Sequence, residues 1–140
     1  MKDYLKYDGI AVLAHRGGAL ESYENTLESF DYSIGLGCKY IETDVQLSSD
    51  GVPYIFHDED LKRLTGSNRP FHSHLSSEIN DIKLFDQFKI PTLEETLITF
   101  SNTYFQIDFK SDEVVLPAID IIRKTNSINR IDRKSTRLNS

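Results

Sequence analysis

An α/β chain on a mainly parallel sheet is what the sequence predicts. Three observations point there: short apolar runs, helical repeats between most of them, and ionisable residues where the runs stop. The runs fall at 11–15, 40–47, 52–56 and 104–110. Strands separated by helices imply parallel pairing through crossovers. His15-Arg16, Glu42-x-Asp44, His57-Asp58 and Asp108-x-Lys110 stand toward the ends of these runs. Open α/β sheets and (β/α)8 barrels both place their chemistry at the carboxyl ends of strands.

Taken in order, residues 11–15 are a short apolar run stopped by Gly17-Gly18, which reads as a buried strand. Asn25 is predicted to cap a helix, with Glu28 in the capping-box position and Leu27, Phe30 and Ile34 at helical spacing until Gly35 and Gly37. Cys38, beside Gly37 at the helix-to-strand junction, reads as a small packing residue. Tyr40 to Leu47 alternates like a strand, Asp50-Gly51 signals a turn, and Val52 to Phe56 makes a third strand that delivers His57 and Asp58. Residues 59–90 hold Gly66, Asn68, Pro70 and several serines, and read as a long excursion with a short helix within Leu75 to Leu84. Its His72-x-His74 pair is expected to be solvated. Thr92-x-x-Glu95 is a capping box that opens a helix through Phe100. A strand follows over Tyr104 to Lys110. Ser111 is then predicted to cap a last helix that carries Val115, Ile119 and Ile122 on one face, with Pro117 in its first turns.

With 140 residues, 39% hydrophobic and 27% charged, the composition is that of one ordinary globular domain. A complete (β/α)8 barrel takes about 250 residues, so a chain with about four strands would hold only its first half. Arg130 to Ser140 turns abruptly polar and basic, with no strand where the next one falls due. The domain is therefore expected over 1–129, with 130–140 as a tail whose last residues are foreign to it. No run approaches the roughly 18 apolar residues of a membrane span, and the first residues lack the apolar region of a secretion signal. A cytoplasmic location is the expectation. A single cysteine forbids an internal disulfide. The net charge of -6 argues against general binding to nucleic acid, whose phosphates attract basic surfaces.

Glu42 and Asp44 are two apart on a strand, so their carboxylates share a face and suit a hard divalent cation such as Mg²⁺ or Ca²⁺; Asp108, ending another strand, would add a third oxygen. Alone, the pair is weak evidence for a metal, since two exposed acids on a strand are common. His15 and His57 each follow an apolar strand, and together would take a proton from an attacking oxygen and give one to a leaving oxygen. Arg16 offers a planar fork for phosphate oxygens, and Lys110, on the strand face of Asp108 and Gln106, offers a point charge. Gly17-Gly18 serves a tight turn or a close approach to ligand equally well. No dinucleotide or Walker-type glycine pattern is present.

His15-Arg16-Gly17, Glu24-Asn25-Thr26, Glu42-x-Asp44, Asp50-Gly51-Val52-Pro53, His57-Asp58, Pro91 to Glu95 and Asp108-x-Lys110 resemble, in order and spacing, the glycerophosphodiester phosphodiesterase family. The resemblance runs from about residue 10 to 125. It implies a TIM-type (β/α)8 barrel with a small insertion after the third strand, matching 59–90. It also implies metal-dependent hydrolysis of glycerophosphodiesters to sn-glycerol 3-phosphate and an alcohol. On that pattern His15 and His57 form the acid/base pair, Glu42, Asp44 and Asp108 hold the metal, Arg16 and Lys110 hold phosphate, and Asn25 orients substrate or ligand. Glu24 is a further participant. The pattern leaves open which histidine is the acid. This chain departs from the family at Tyr23, where a proline is usual, and at Gln106-x-Asp108, where Asn-x-Glu is usual; the later strands are absent. Two other readings stand beside it: an inactive fragment that binds metal or phosphate and self-associates through open sheet edges, and a phospholipase D or sphingomyelinase-type phosphodiesterase.

Overall fold

The strand Tyr40–Leu47 organises the sheet. Successive side chains of a strand face opposite ways. Ile41 and Val45 therefore enter an apolar core while Glu42, Asp44 and Gln46 are buried on the other face. The structure, a computed structural model, describes residues 13–18 and 23–134. In chain order the elements are β1 (Leu13–His15), α1 (Leu27–Gly35), β2 (Tyr40–Leu47), β3 (Pro53–Ile55), β4 (Asp60–Leu61), α2 (Lys62–Thr65), β5 (Ser67–Pro70), α3 (Ser76–Asn80), β6 (Lys83–Leu84), β7 (Phe88–Lys89), α4 (Leu93–Thr99), β8 (Tyr104–Phe109), α5 (Val115–Lys124) and β9 (Ile131–Lys134). Single 3-10 turns lie at Phe71–Ser73 and Ile128–Arg130.

The main sheet runs β1-β2-β8-β9, all parallel. β3 pairs antiparallel with the end of β2, Val45 opposite Ile55. Of the expected β1, residues 11–12 lie outside the described residues. The helices cover one face: Phe30 of α1, Leu93 and Leu97 of α4, and Ala118 and Ile122 of α5 pack on Ile41, Val45, Phe105, Ile107 and Phe109. Each fully buried phenylalanine or isoleucine contributes about 1.5–3 kcal/mol.

Several expectations shift. Thr26, not Asn25, caps α1: its extended backbone turns Oγ1 onto the Ser29 N–H at 3.0 Å, and Ser29 Oγ accepts from the Thr26 N–H at 3.3 Å, so Ser29 closes the box in place of Glu28. Asn25 instead holds φ 53 and spends its amide on the sheet. The box of Thr92 and Glu95 opens α4 as the sequence predicts. α5 starts at Val115 after an uncapped Val114, so Ser111 is not its cap, and Pro117 sits in the first turn where a missing N–H costs nothing. The excursion carries a second apolar cluster, in which Tyr54 and Phe56 pack with Leu61, Phe71, Ile79, Leu84 and Ile90. Its short helix is Ser76–Asn80. His72 is exposed as expected, but His74 is 5% exposed and places Nδ1 3.0 Å from the Pro70 carbonyl.

The largest correction is at the end. Ile131–Lys134 forms β9, parallel to β8 with Ile131 opposite Phe105, so the fold continues past Arg130. Arg130 itself is part of it: Nη1 donates to the Phe100 and Thr103 carbonyls at 3.0 Å each, and Nη2 to Leu97 O at 2.6 Å and Ser127 Oγ at 2.9 Å. A basic residue that looks like tail composition thus closes the carboxyl end of α4.

Candidate active site

β2 and β8 set the site's floor by register. Glu42 lies opposite both His15 and Gln106, and Asp44 lies opposite Asp108. In-register neighbours of a parallel pair share a face, so Glu42, Asp44 and Asp108 all point away from the helices. All are buried, at 5%, 1% and 2% exposure. Lys110, just past β8, returns over this row and places Nζ 2.8 Å from Asp108 Oδ2 and 3.3 Å from Asp44 Oδ1. Burial works against its charge, but the Asp108 hydrogen bond and the Asp44 field outweigh that and raise its pKa above the ordinary lysine range. Asn25 buttresses the row, donating from Nδ2 to Asp44 Oδ2 at 3.1 Å and accepting the Thr43 hydroxyl at 2.8 Å.

The turn after β1 delivers the cations. Gly17 and Gly18 have φ of 72° and 88°, and a Cβ at Gly17 would collide with the Phe30 ring, so the turn itself accounts for that glycine. Arg16 sits in the left-handed region at φ 51, with its N–H donating to Glu42 Oε2 at 3.2 Å and its carbonyl accepting from Asn25 N–H at 2.8 Å. Its Nη2 lies 2.7 Å from His57 Nε2. A guanidinium has no acceptor, so Nε2 carries the lone pair and Nδ1 the proton, which is donated to Asp58 Oδ1 at 2.6 Å. His57 is thus neutral, with its basic nitrogen aimed at the guanidinium. Arg16 Nε is buried with no hydrogen-bond partner. His15 is 67% exposed at its side chain, with Nε2 3.5 Å from Glu42 Oε2.

The predicted residues accordingly gather in two linked groups, His57, Arg16, Glu42 and His15 on one side and Asn25, Asp44, Asp108 and Lys110 on the other. Arg63 is not among the residues expected from sequence. This α2 residue donates from Nη1 and Nη2 to the two oxygens of Glu24 at 2.7 and 2.9 Å, and from Nε and Nη2 to the two oxygens of Asp58 at 2.9 and 3.1 Å. Both acceptors are acids the sequence shows, but a lone arginine in a four-residue helix carries no signal of its own. Gln46 was also missed; it holds the His57 and Asp58 carbonyls at 3.3 and 2.8 Å. A cavity of about 370 Å³ opens against His57, Asp58, Glu59, Asp60 and Lys110. Another of about 320 Å³ shares Glu59, Asp60 and Lys110 and extends to His72 and Ser111.

The metal question turns on the carboxylate row. Three buried acids offer only oxygen donors, the kind a hard divalent cation takes. Among the described residues, however, no three of the acids, histidines and Cys38 converge tightly enough to hold an ion, and the Lys110 ammonium already bridges Asp44 and Asp108. The donor chemistry fits a metal, with Lys110 as its competitor for the same oxygens.

A parallel α/β sheet that gathers histidines, an arginine, a lysine and buried carboxylates at its strand ends has the architecture of part of a TIM-type barrel. The chain belongs to the glycerophosphoryl diester phosphodiesterase family, whose model matches residues 15–136. It is 30% identical over 130 residues to a probable glycerophosphodiester phosphodiesterase 2 of Mycobacterium tuberculosis, covering 92% of this chain and 49% of that protein. Among solved structures, it is similar to a glycerophosphodiester phosphodiesterase of Thermotoga maritima (33% identity, TM-score 0.78), covering 95% of this chain and 57% of the other. It is also similar to an Oleispira antarctica phosphodiesterase in complex with the product sn-glycerol-3-phosphate (26% identity, TM-score 0.81, 92% of this chain and 58% of the other). The fold is therefore a partial TIM-type barrel, and the chain spans about half the length of the relative it matches.

Proposed function

We propose that this site hydrolyses glycerophosphodiesters to sn-glycerol 3-phosphate and an alcohol, with His15 and His57 moving the protons. The observation that carries the reading is the 2.7 Å approach of Arg16 to His57 Nε2. It sets a phosphate-binding fork and a basic lone pair side by side, and the unpartnered Arg16 Nε donor suits an added phosphate oxygen. Substrate phosphate drawing the guanidinium away would free Nε2 to accept the proton of the attacking water. The new P–O bond forms to that water as the P–O bond to the alcohol breaks, and the departing oxygen takes a proton from the other histidine. His15, 67% exposed at its side chain and so open to the solvent side, suits that second role. Lys110 and Arg16 spread the charge that builds on the phosphoryl oxygens.

Glu42, Asp44 and Asp108 would hold a divalent cation, Mg²⁺ or Ca²⁺. When bound, such a cation neutralises charge on the phosphoryl oxygens. For Asp44 and Asp108 to serve it, Lys110 must swing off the row toward substrate phosphate. The test is release of glycerol 3-phosphate from glycerophosphocholine by the purified chain, with Mg²⁺, Ca²⁺ or EDTA in parallel. Turnover with a cation and its loss in EDTA is the expected result. A folded but silent chain overturns the reading for this polypeptide, and turnover indifferent to EDTA overturns the metal assignment.

A further inference from the structure

We propose that Arg63 is a positioning residue for His57, bringing the excursion into the chemistry of the barrel. The proposal rests on the reading of His57 as the base. Arg63 spans two acids with one guanidinium. Through Nε and Nη2 it grips both oxygens of Asp58, whose Oδ1 in turn accepts the His57 Nδ1 proton at 2.6 Å. This fixes the carboxylate that orients the imidazole. Through Nη1 and Nη2 it also takes both oxygens of Glu24.

The second grip matters as much as the first. Glu24 is 7% exposed and stands 3.5 Å from Arg16 Nη1, close enough to compete for the Arg16 fork. With both Glu24 oxygens occupied by Arg63, Arg16 can turn Nη2 onto His57 Nε2. One side chain thus steadies the imidazole from both of its nitrogens: Nδ1 through Asp58, and Nε2 through Glu24 and Arg16. Hydrogen bonds of this outer kind set tautomer and ring orientation. Burial pushes the Asp58 pKa up, but the Arg63 and His57 hydrogen bonds outweigh it and hold the carboxyl below the ordinary aspartate range, so it stays an acceptor.

Imidazole ¹H–¹⁵N spectra of the full chain read this directly and need no turnover. The native protein should show His57 as a single Nδ1–H form. In Arg63→Met the His57 signals should move to a mixture with the Nε2–H form, while the His15 ring signals and the amide spectrum hold. Arg63→Lys, whose one ammonium cannot grip four oxygens, should give a smaller movement and serves if the methionine variant fails to fold. Unmoved His57 signals in either folded variant overturn the proposal. In the glycerol 3-phosphate assay the kcat of Arg63→Met should fall roughly 10–100-fold with KM nearly constant, as for outer-sphere partners generally. The two readings separate cleanly. If His57→Ala leaves hydrolysis intact while Arg63→Met shifts the imidazole, the catalytic assignment fails and the positioning stands. If His57→Ala abolishes hydrolysis while the imidazole in Arg63→Met is unmoved, the positioning fails alone.

Discussion

At the scale of single residues, the contrast between the two histidines is informative. His57 is held by Asp58, Arg16 and the Gln46 amide on its own carbonyl, whereas His15 is 67% exposed and meets Glu42 at 3.5 Å. A pinned imidazole suits a base that must present a lone pair in one direction, and a solvent-exposed one suits an acid that must meet a leaving group. Replacing either by alanine should reduce turnover by roughly 10²-fold or more, the usual share of a general acid or base. His57→Ala should also release the Arg16 fork, so phosphate binding, read from product inhibition by glycerol 3-phosphate, should change in that variant and hold in His15→Ala. Near-native turnover in either variant removes that histidine from the mechanism. The departure at Gln106-x-Asp108 has a local counterpart: the shorter acid still reaches Lys110 Nζ at 2.8 Å. Tyr23 packs its ring 4.9 Å from Phe85 and 4.8 Å from Phe88, tying the segment just before α1 to the excursion.

At the scale of elements, Asp50 links the β2–β3 turn to α3. Ser48 Oγ donates to Asp50 Oδ1 at 2.6 Å, and Ser76 donates from its N–H to Oδ1 at 2.9 Å and from its hydroxyl to Oδ2 at 2.5 Å. These bonds, led by the Ser48 hydroxyl and then that of Ser76, lower the Asp50 pKa from 3.8 to about 2. A folded pKa below the unfolded one means that the contribution is present above about pH 3.8 and lost as pH falls through about 2. Asp50→Asn should therefore melt below the native protein at neutral pH, and the gap should close between those two values. Thermal melts of both proteins across that range test it, and a gap constant with pH overturns the attribution. The Asp50-Gly51 turn was visible in the sequence. Its second role as an anchor for α3 was not, because Ser76 is 26 residues away and nothing local announces the pairing.

At the scale of the whole molecule, two apolar clusters divide the chain. One lies between the parallel sheet and α1, α4 and α5, and the other lies under the excursion, with Tyr54 and Phe56 joining β3 to it. Among the described residues, β1 pairs with β2 alone along its length and β9 with β8 alone. Strands with an unpaired edge offer a row of backbone donors and acceptors to another chain. We expect self-association, measured as a mass by light scattering that rises with concentration. A monomer mass throughout a broad concentration series overturns this. Among the described residues no helix is long and apolar enough to cross a membrane.

Residue type and spacing were enough to place β2, α4, β8 and the acids on β2 and β8, because period-two and helical patterns report directly which face is buried. They also placed His15, Arg16, His57 and Lys110 at strand ends. The excursion resisted reading because its elements are two to five residues long, too short for any period to register, and because its core is assembled from Leu61, Phe71, Ile79 and Leu84 across distant turns. β9 was missed because Ile131–Lys134 shows no apolar run; its place depends on backbone pairing with β8 and on Arg130 closing α4. Sequence by itself thus determined which chemical groups this protein carries and on which strands they ride, since that follows from local periodicity. Only the tertiary structure decided that Arg63 joins Glu24 to Asp58, that His57 turns Nε2 toward Arg16, and that Lys110 spans Asp44 and Asp108. Those contacts depend on distance in space between groups remote along the chain, and side-chain charge acts through that distance.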